Sequence, residues 1–235
     1  MDKKLNIIAT IKDGIAIALV NFLSLILTTL LWIVTIWVPY LNVGTTIAME
    51  SLPAELAKGK VINPLFIFDG KYRKNMGEFF ILMALMTGAI SVGLGFGFIP
   101  GIVIAIAWDF AIVLFVDKDM SALDALRESN RLTYGHKARI FCITALVIIC
   151  LCVLCSIIIG LFGIGEIGWL EAIGGIIVAI LVLFAVPALL GIEASLYKQL
   201  TTGEFLDAPA NEAHAAAPAA PEAPKAEAPK APKAE

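Results

Sequence analysis

Three carboxylates stand within stretches that read as membrane spans: Glu50 in the weakly apolar "NVGTTIAMES", Asp109 in "IVIAIAWDFAIVLFV" and Glu193 in "ALLGIEASL". Placing such a charge in a bilayer costs at least ~2.5–3.5 kcal/mol on insertion scales, so each needs a proton, a counter-charge or a polar cavity. Together with Asn21 they form a candidate intramembrane polar site, suited to a cation, a proton or a polar headgroup. The competing reading is packing. A protonated or hydrogen-bonded Asp109 would then fix helix against helix, and Glu193 would reach Lys198 or the arginines of a surface helix.

Other chemistry has little footing. The four cysteines, Cys142, Cys150, Cys152 and Cys155, share one apolar run and read as soft packing residues, not as a disulfide framework or a metal site. Of the two histidines, His214 lies in a low-complexity tail, and His136, in "YGHKARIF", reads as an interfacial anchor. There is no nucleophile elbow or phosphate loop, and "GLGFGF" sits inside a hydrophobic hairpin. No catalytic, cofactor-binding or metal-ligating residue is expected.

The elements that position the three acids follow from composition. Of 235 residues, 60% are hydrophobic and 16% charged, with a mean hydropathy of +0.91. A soluble domain carries about one-quarter charged residues, so the composition is that of an integral membrane protein. The net charge of −3 gives no basic field for nucleic acid.

A bilayer core needs about 20 apolar residues per helix. Ile15–Val38, ending in Trp32, Trp37 and Tyr40 and closed by Pro39, predicts the first span; its length excludes a cleaved signal peptide. Phe79–Gly97 and Pro100–Val116 form a hairpin through "GFGFIPG", Ile140–Phe162 is the cysteine-bearing span, and Ile173–Leu196 is the last. "YLNVGTTIAMESLPAELAKG" is weakly apolar, yet if it crosses, all 17 Lys and Arg fall on one face. Three precede the first span, five lie in 58–78, five in 117–139 and four follow the last span, while "VPYLN", "GFGFIP" and "GIGEIGWLEAIG" carry none. The positive-inside rule then gives six spans, with both termini cytoplasmic.

Between the fourth and fifth spans, "SALDALRESNRLTYG" predicts an amphipathic helix over 122–134. Ser121 is its N-cap, Asp124 favours its positive end and Gly135 closes it, with a stripe of Leu123, Leu126, Asn130 and Tyr134. Adding 58 to each number maps "KVINPLFIFDGKYRKNMG" onto the same design, Asn63 onto Ser121 and Gly77 onto Gly135. This predicts a second surface helix near 63–77 and a diverged tandem repeat. Arg73, Lys74, Arg127, Arg131, Lys137 and Arg139 are the candidate headgroup contacts at the cytoplasmic surface.

The segments "LFVDKDMSALDALRESNRLTYGHKARIF", "GKVINPLFIFDGKYRKNMGEFF" and "VPALLGIEASLYKQL" resemble landmarks of a group of prokaryotic multi-spanning proteins. That group is similar to the membrane part preceding the catalytic barrel in some glycerophosphodiester phosphodiesterases. The resemblance covers most of residues 15–200 and implies an all-helical bundle with cytoplasmic surface helices. It brings no activity, because the 35 residues after Leu200 are low-complexity and hold no barrel.

The expected organisation is a cytoplasmic segment 1–14, an all-α transmembrane domain 15–200 and a disordered Ala/Pro/Lys/Glu-rich tail 201–235. The expected location is the cytoplasmic (inner) membrane, and the expected partners are membrane lipids and another membrane or cytoplasmic protein, with no cofactor. Function is expected to be non-enzymatic: a scaffold or lipid-interacting module. The alternatives are a small ion-coupled carrier using Asp109, or an accessory subunit docking a soluble enzyme.

Overall fold

A computed structural model describes residues 5–163 and 168–206, and these are helical with no strand among them. Helix α1 (Ile7–Val20) is capped by Asn6, whose side chain accepts from the Ala9 N–H at 3.2 Å. It contains most of the segment expected to precede the membrane domain, and Thr10 and Asp13 are buried within it.

The first span expected over Ile15–Val38 is not one helix. Helix α1 and helix α2 (Phe22–Thr35) meet at Asn21 with a 78° bend. The cause is local: Asn21 leaves helical geometry (φ −107°, ψ 13°), and its Oδ1 accepts from the Ile62 N–H at 3.0 Å. The Ser24 hydroxyl donates to the Ile62 carbonyl. A side chain engaged with a distant backbone competes with the helix that would otherwise continue through it.

The expected second span is also broken. Helix α3 (Leu41–Glu50) and helix α4 (Leu52–Ala57) are separated at Ser51, and Pro53 sits in the first turn of α4. They extend about 15 and 9 Å and cannot cross a hydrocarbon core of about 30 Å as single helices. Ala48, Leu52, Ala54 and Leu56 are fully buried, so these helices are packed against protein.

The second surface helix is replaced by a 3-10 turn (Pro64–Phe68) and a single helical turn, α5 (Lys71–Lys74). Asn63 does cap, accepting from the Leu65 N–H at 3.1 Å, but Asp69 then accepts from the Lys71 N–H at 3.1 Å and breaks the run. Gly77 lies inside helix α6 (Met76–Gly95) and terminates nothing, so the repeat inferred from a shift of 58 does not extend to structure.

Helix α7 (Phe98–Ala107) returns alongside α6 after Gly97, whose φ of 143° suits glycine. The two approach so closely that a Cβ on Gly93 would lie 2.9 Å from the Gly101 Cα. A break at 108–110 precedes helix α8 (Ala111–Asp117). Helix α9 (Ala122–Thr133) begins at Ser121, which accepts from the Asp124 N–H at 3.3 Å, and the chain turns at Gly135 with φ 82°. Its buried stripe, however, is Ala122, Ala125, Leu126, Ser129 and Thr133, whereas Leu123, Asn130 and Tyr134 are exposed. The helix is rotated from the expected face because its small and hydroxyl residues pack closely against the α7–α8 break.

Helices α10 (Lys137–Gly163) and α11 (Gly168–Thr202) form the second long hairpin. Among the described residues, α6, the α7–α8 stretch Phe98–Asp117, α10 and α11 are long and apolar enough to cross a membrane, and the bent α1–α2 pair would make a fifth if it counts as one. The six helical spans expected are therefore reduced to four or five. Residues 207–235, nearly all of the expected tail, lie outside the described residues; of its first part, Thr201 and Thr202 end α11 and Phe205 packs against the core.

That core gathers at one end of the molecule. Phe110, Leu114, Ile140, Ile143, Leu196 and Tyr197 form one cluster, and Ile47, Ile67, Phe79, Leu82, Phe115 and Leu126 a second. Helix α1 runs against the C-terminal half of α11, so close at Gly14 that a Cβ there would sit 2.5 Å from the Ile192 Cα. Beyond this head project the α6–α7 and α10–α11 hairpins. Of the 27 residues in α10, only Ile140 and Ile143 are buried.

Candidate functional site

The break between α7 and α8 is the local device on which the site depends. An interrupted helix leaves backbone groups unpaired, and in a low-dielectric surrounding each must find a partner. Ser129 of α9 supplies both: its Oγ accepts from the Phe110 N–H at 3.2 Å and its hydroxyl donates to the Ala107 carbonyl at 2.9 Å. Thr133, one turn later, donates to the Ser129 carbonyl at 3.0 Å and lies 3.4 Å from the Ala107 carbonyl. The charged helix between two apolar hairpins thus closes a broken span and fixes Asp109 in the gap.

Asp109, Glu50 at the end of α3 and Glu193 on α11 line one cavity of about 420 Å³. Asp109 and Glu50 are accessible and Glu193 is half-buried. The remaining wall is largely hydrocarbon, including Met86, Ile90, Ile112, Val147 and Leu189, with Thr144 as the neutral polar group. Three carboxylates on three separate elements repel one another when ionised, and a proton or a cation between them relieves that repulsion. Among the described residues no three His, Cys, Asp or Glu side chains converge as a metal-ion ligand set. The arrangement is therefore a broad acidic pocket, and its three carboxylates do not close on one point.

Asn21, grouped with these acids from sequence, does not line the cavity; it holds the backbone of Ile62 at the α1–α2 bend. The candidate headgroup contacts are mostly engaged with neighbours. Arg127 pairs with Asp124 at 3.5 Å, and Arg131 makes two hydrogen bonds to Glu128, at 2.7 and 2.6 Å, which hold the Glu128 carboxyl below its ordinary range. Lys137 donates to Asn130 Oδ1 at 2.8 Å, and the Arg73 side chain lies across Gly44. Arg139 is half-buried beside His136, whose titration is lowered by burial and then by the charge of Arg139.

Lys74 lines a second cavity, of about 330 Å³, which presents Lys58 and Lys71 together with Glu55, Asp117 and Asp119. Lys58 bridges Asp117 and Glu55, and Lys60 reaches Glu55 at 2.7 Å. Burial alone would raise the Glu55 pKa, but the hydrogen bonds and charges of Lys60 and Lys58 outweigh it and lower the carboxyl. These charges largely neutralise one another within the protein.

The four cysteines are free; Cys142, Cys150 and Cys152 are exposed on the outside of α10 and Cys155 is half-buried, so most do not pack helix against helix.

Sequence reading missed a buried polar seam between α1 and α11. Ser195 donates to Asp13 Oδ2 at 2.7 Å, and Gln199 donates to Thr10 Oγ1 at 3.1 Å. The signal was present as Thr10 and Asp13 at i, i+3 and Ser195 and Gln199 at i, i+4, each pair on one helix face. Compared with protein-family models, curated proteins and solved structures, the chain matches none, so the function is argued from its own geometry.

Proposed function

We propose that this is a non-enzymatic multi-pass membrane protein that binds an organic cation in the cavity of Glu50, Asp109 and Glu193. The bound group is an ammonium or similar centre, belonging either to a small solute carried through the membrane or to a lipid headgroup. The carrying observation is the arrival of three carboxylates from α3, the α7–α8 break and α11 at one largely apolar cavity. Its volume is in the range of small-molecule sites, and hydrocarbon walls with a few charged groups suit a cation that also has apolar surface. A small hard metal ion would need its oxygens gathered within about 2.0–2.6 Å, which this set does not offer.

In this reading the protein lies in the cytoplasmic membrane with both termini cytoplasmic, following the asymmetry of its 17 Lys and Arg. The test is binding of tetraphenylphosphonium, a lipophilic cation, to the full chain in lipid nanodiscs. Asp109→Asn keeps the volume and removes the charge, so it should unfold at the wild-type temperature yet bind at least about tenfold more weakly, about 1.4 kcal/mol. Equal binding by both proteins would reject the proposal.

A further inference from the structure

We infer that α1–α4 form a re-entrant element that enters and leaves the membrane on one face, with the outer side of α2 lying against lipid acyl chains. Four observations converge on it.

The first is reach. Helix α1 runs along α11 with Gly14 against Ile192, Thr10 bonded to Gln199 and, just past the bend, the Phe22 ring 5.3 Å from that of Phe184. From Phe184 back to Gly168, α11 continues about 24 Å beyond that level. Helix α2 is about 21 Å long, but at 78° to α1 it advances only about 4 Å along the axis of α1. The pair therefore stops about 20 Å short of the far end of α11.

The second is the position of the bend. Asn21 and Ser24 hold Ile62, which is two residues from the exposed Lys60. An extended chain covers about 3.3 Å per residue, so a solvated ammonium group begins within about 7 Å of backbone from the bend. The bend is thus near the cationic face. The non-helical chain around Ile62 is acceptable at this depth because protein side chains satisfy its backbone, the condition under which irregular backbone occurs in membranes.

The third is the return. Lys58, at the end of α4, bridges Asp117, which also accepts from the Tyr197 hydroxyl at 2.8 Å. The exit from α4, the end of α8 and the C-terminal half of α11 are therefore at one end of the molecule, the same end as the start of α1.

The fourth is the polarity of α2. Ser24, Thr28, Thr29 and Thr35 turn inward, where Thr28 and Thr29 donate to carbonyls one turn back and Thr35 bonds Thr45 at 2.9 Å. Leu23, Leu27, Leu30 and Val34 face outward. The sequence of α2 holds no charge, and its outer face continues from the apolar hairpins through Phe22 and Phe184. Hydrocarbon is the occupant that suits such a surface.

Among the described residues, this arrangement keeps every Lys and Arg on one face with four full spans. It also moves "VPYLN" away from the far side, where a six-span chain puts it.

The test is single-cysteine labelling of the full chain, with Cys142, Cys150, Cys152 and Cys155 replaced, using a membrane-impermeant maleimide on sealed vesicles of each orientation. Lys60→Cys reports the cationic face and Phe98→Cys, in the α6–α7 turn, the opposite face. Trp37→Cys is the probe, and its 85% exposure means the substitution removes no core packing. The expected result is background labelling of Trp37→Cys from the face that labels Phe98→Cys, after an increase on opening the vesicles shows the thiol to be reactive. Labelling of Trp37→Cys together with Phe98→Cys would overturn the re-entrant arrangement and make α1–α2 a crossing span.

Discussion

The head and the projecting hairpins solve the same problem in opposite ways. In the α10–α11 hairpin, apolar side chains such as Ile149, Val153, Ile157 and Ile176 are exposed, and contact between the helices depends on small gaps such as Gly174, where a Cβ would meet the Phe162 Cβ at 2.6 Å. In the head, Thr10, Asp13, Thr28, Thr45, Ser129, Thr133, Ser195 and Gln199 are buried. Lipid is as apolar as leucine, so burying leucine between helices gains little there; close packing and satisfied polar groups hold membrane helices together instead. The hairpins follow from composition, whereas the head depends on particular pairs of residues.

The difference predicts where substitutions act. The largest effect should come from Gly14→Leu. Its side chain would run into the α11 backbone at Ile192, and overpacking of this kind costs about 3 kcal/mol or more when backbone must move. Gly88→Ala in α6, where a Cβ meets nothing within 4 Å, should leave thermal unfolding in detergent unchanged or slightly improved. Comparable losses from both would erase the distinction between head and hairpin.

Ser129→Ala should come next. It strands the Phe110 N–H and leaves the Ala107 carbonyl with only the 3.4 Å contact from Thr133, a penalty of about 1–3 kcal/mol, and should weaken cation binding because Asp109 sits in the gap that Ser129 closes. Cys152→Ala on the exposed side of α10 should change stability by less than about 0.5 kcal/mol. Denaturant titration with binding measured in parallel checks both.

The electrostatic network of the head should contribute less than either of these packing and hydrogen-bond sites. The lowered Glu55 carboxyl contributes stability that is present above its unfolded value, about pH 4.3, and is lost as pH falls through the lower folded value. For Lys58, burial lowers the pKa, but Asp117 and Glu55 together raise it, so its contribution is complete below about pH 10.4 and fades only as pH rises through the folded value. Between about pH 5 and 9 both are constant. The lysine side chains are 42% and 59% exposed, so solvent screens the network and Glu55→Gln should cost less than about 1 kcal/mol, mostly by flattening the acid limb of a melting-temperature profile.

Much of the membrane class was legible in the sequence. The apolar runs that became α6, α7–α8, α10 and α11 need only hydropathy and length, which act residue by residue. Ser121 and Gly135 were legible because caps are local chemistry. The bend at Asn21 was not, because its cause is a hydrogen bond to Ile62, 41 positions away. The face of α9 was misread for the same reason: hydropathy favours Leu123 and Tyr134, but Ser129 and Thr133 turn inward to complete a break in another helix.

The sequence by itself determined that the chain belongs in a membrane, that the runs of α6, α7–α8, α10 and α11 are apolar and long enough to cross it, and that three carboxylates there need compensation. Those follow from transfer free energies summed along a run. Only the tertiary structure decided that Glu50, Asp109 and Glu193 share one cavity and that Asn21 does not. It also decided that α1 and α2 pack as a bent pair with Thr10, Asp13, Thr28 and Thr29 turned inward. Each of these depends on pairing between residues far apart in the chain, and periodicity within one helix carries no information about its partner.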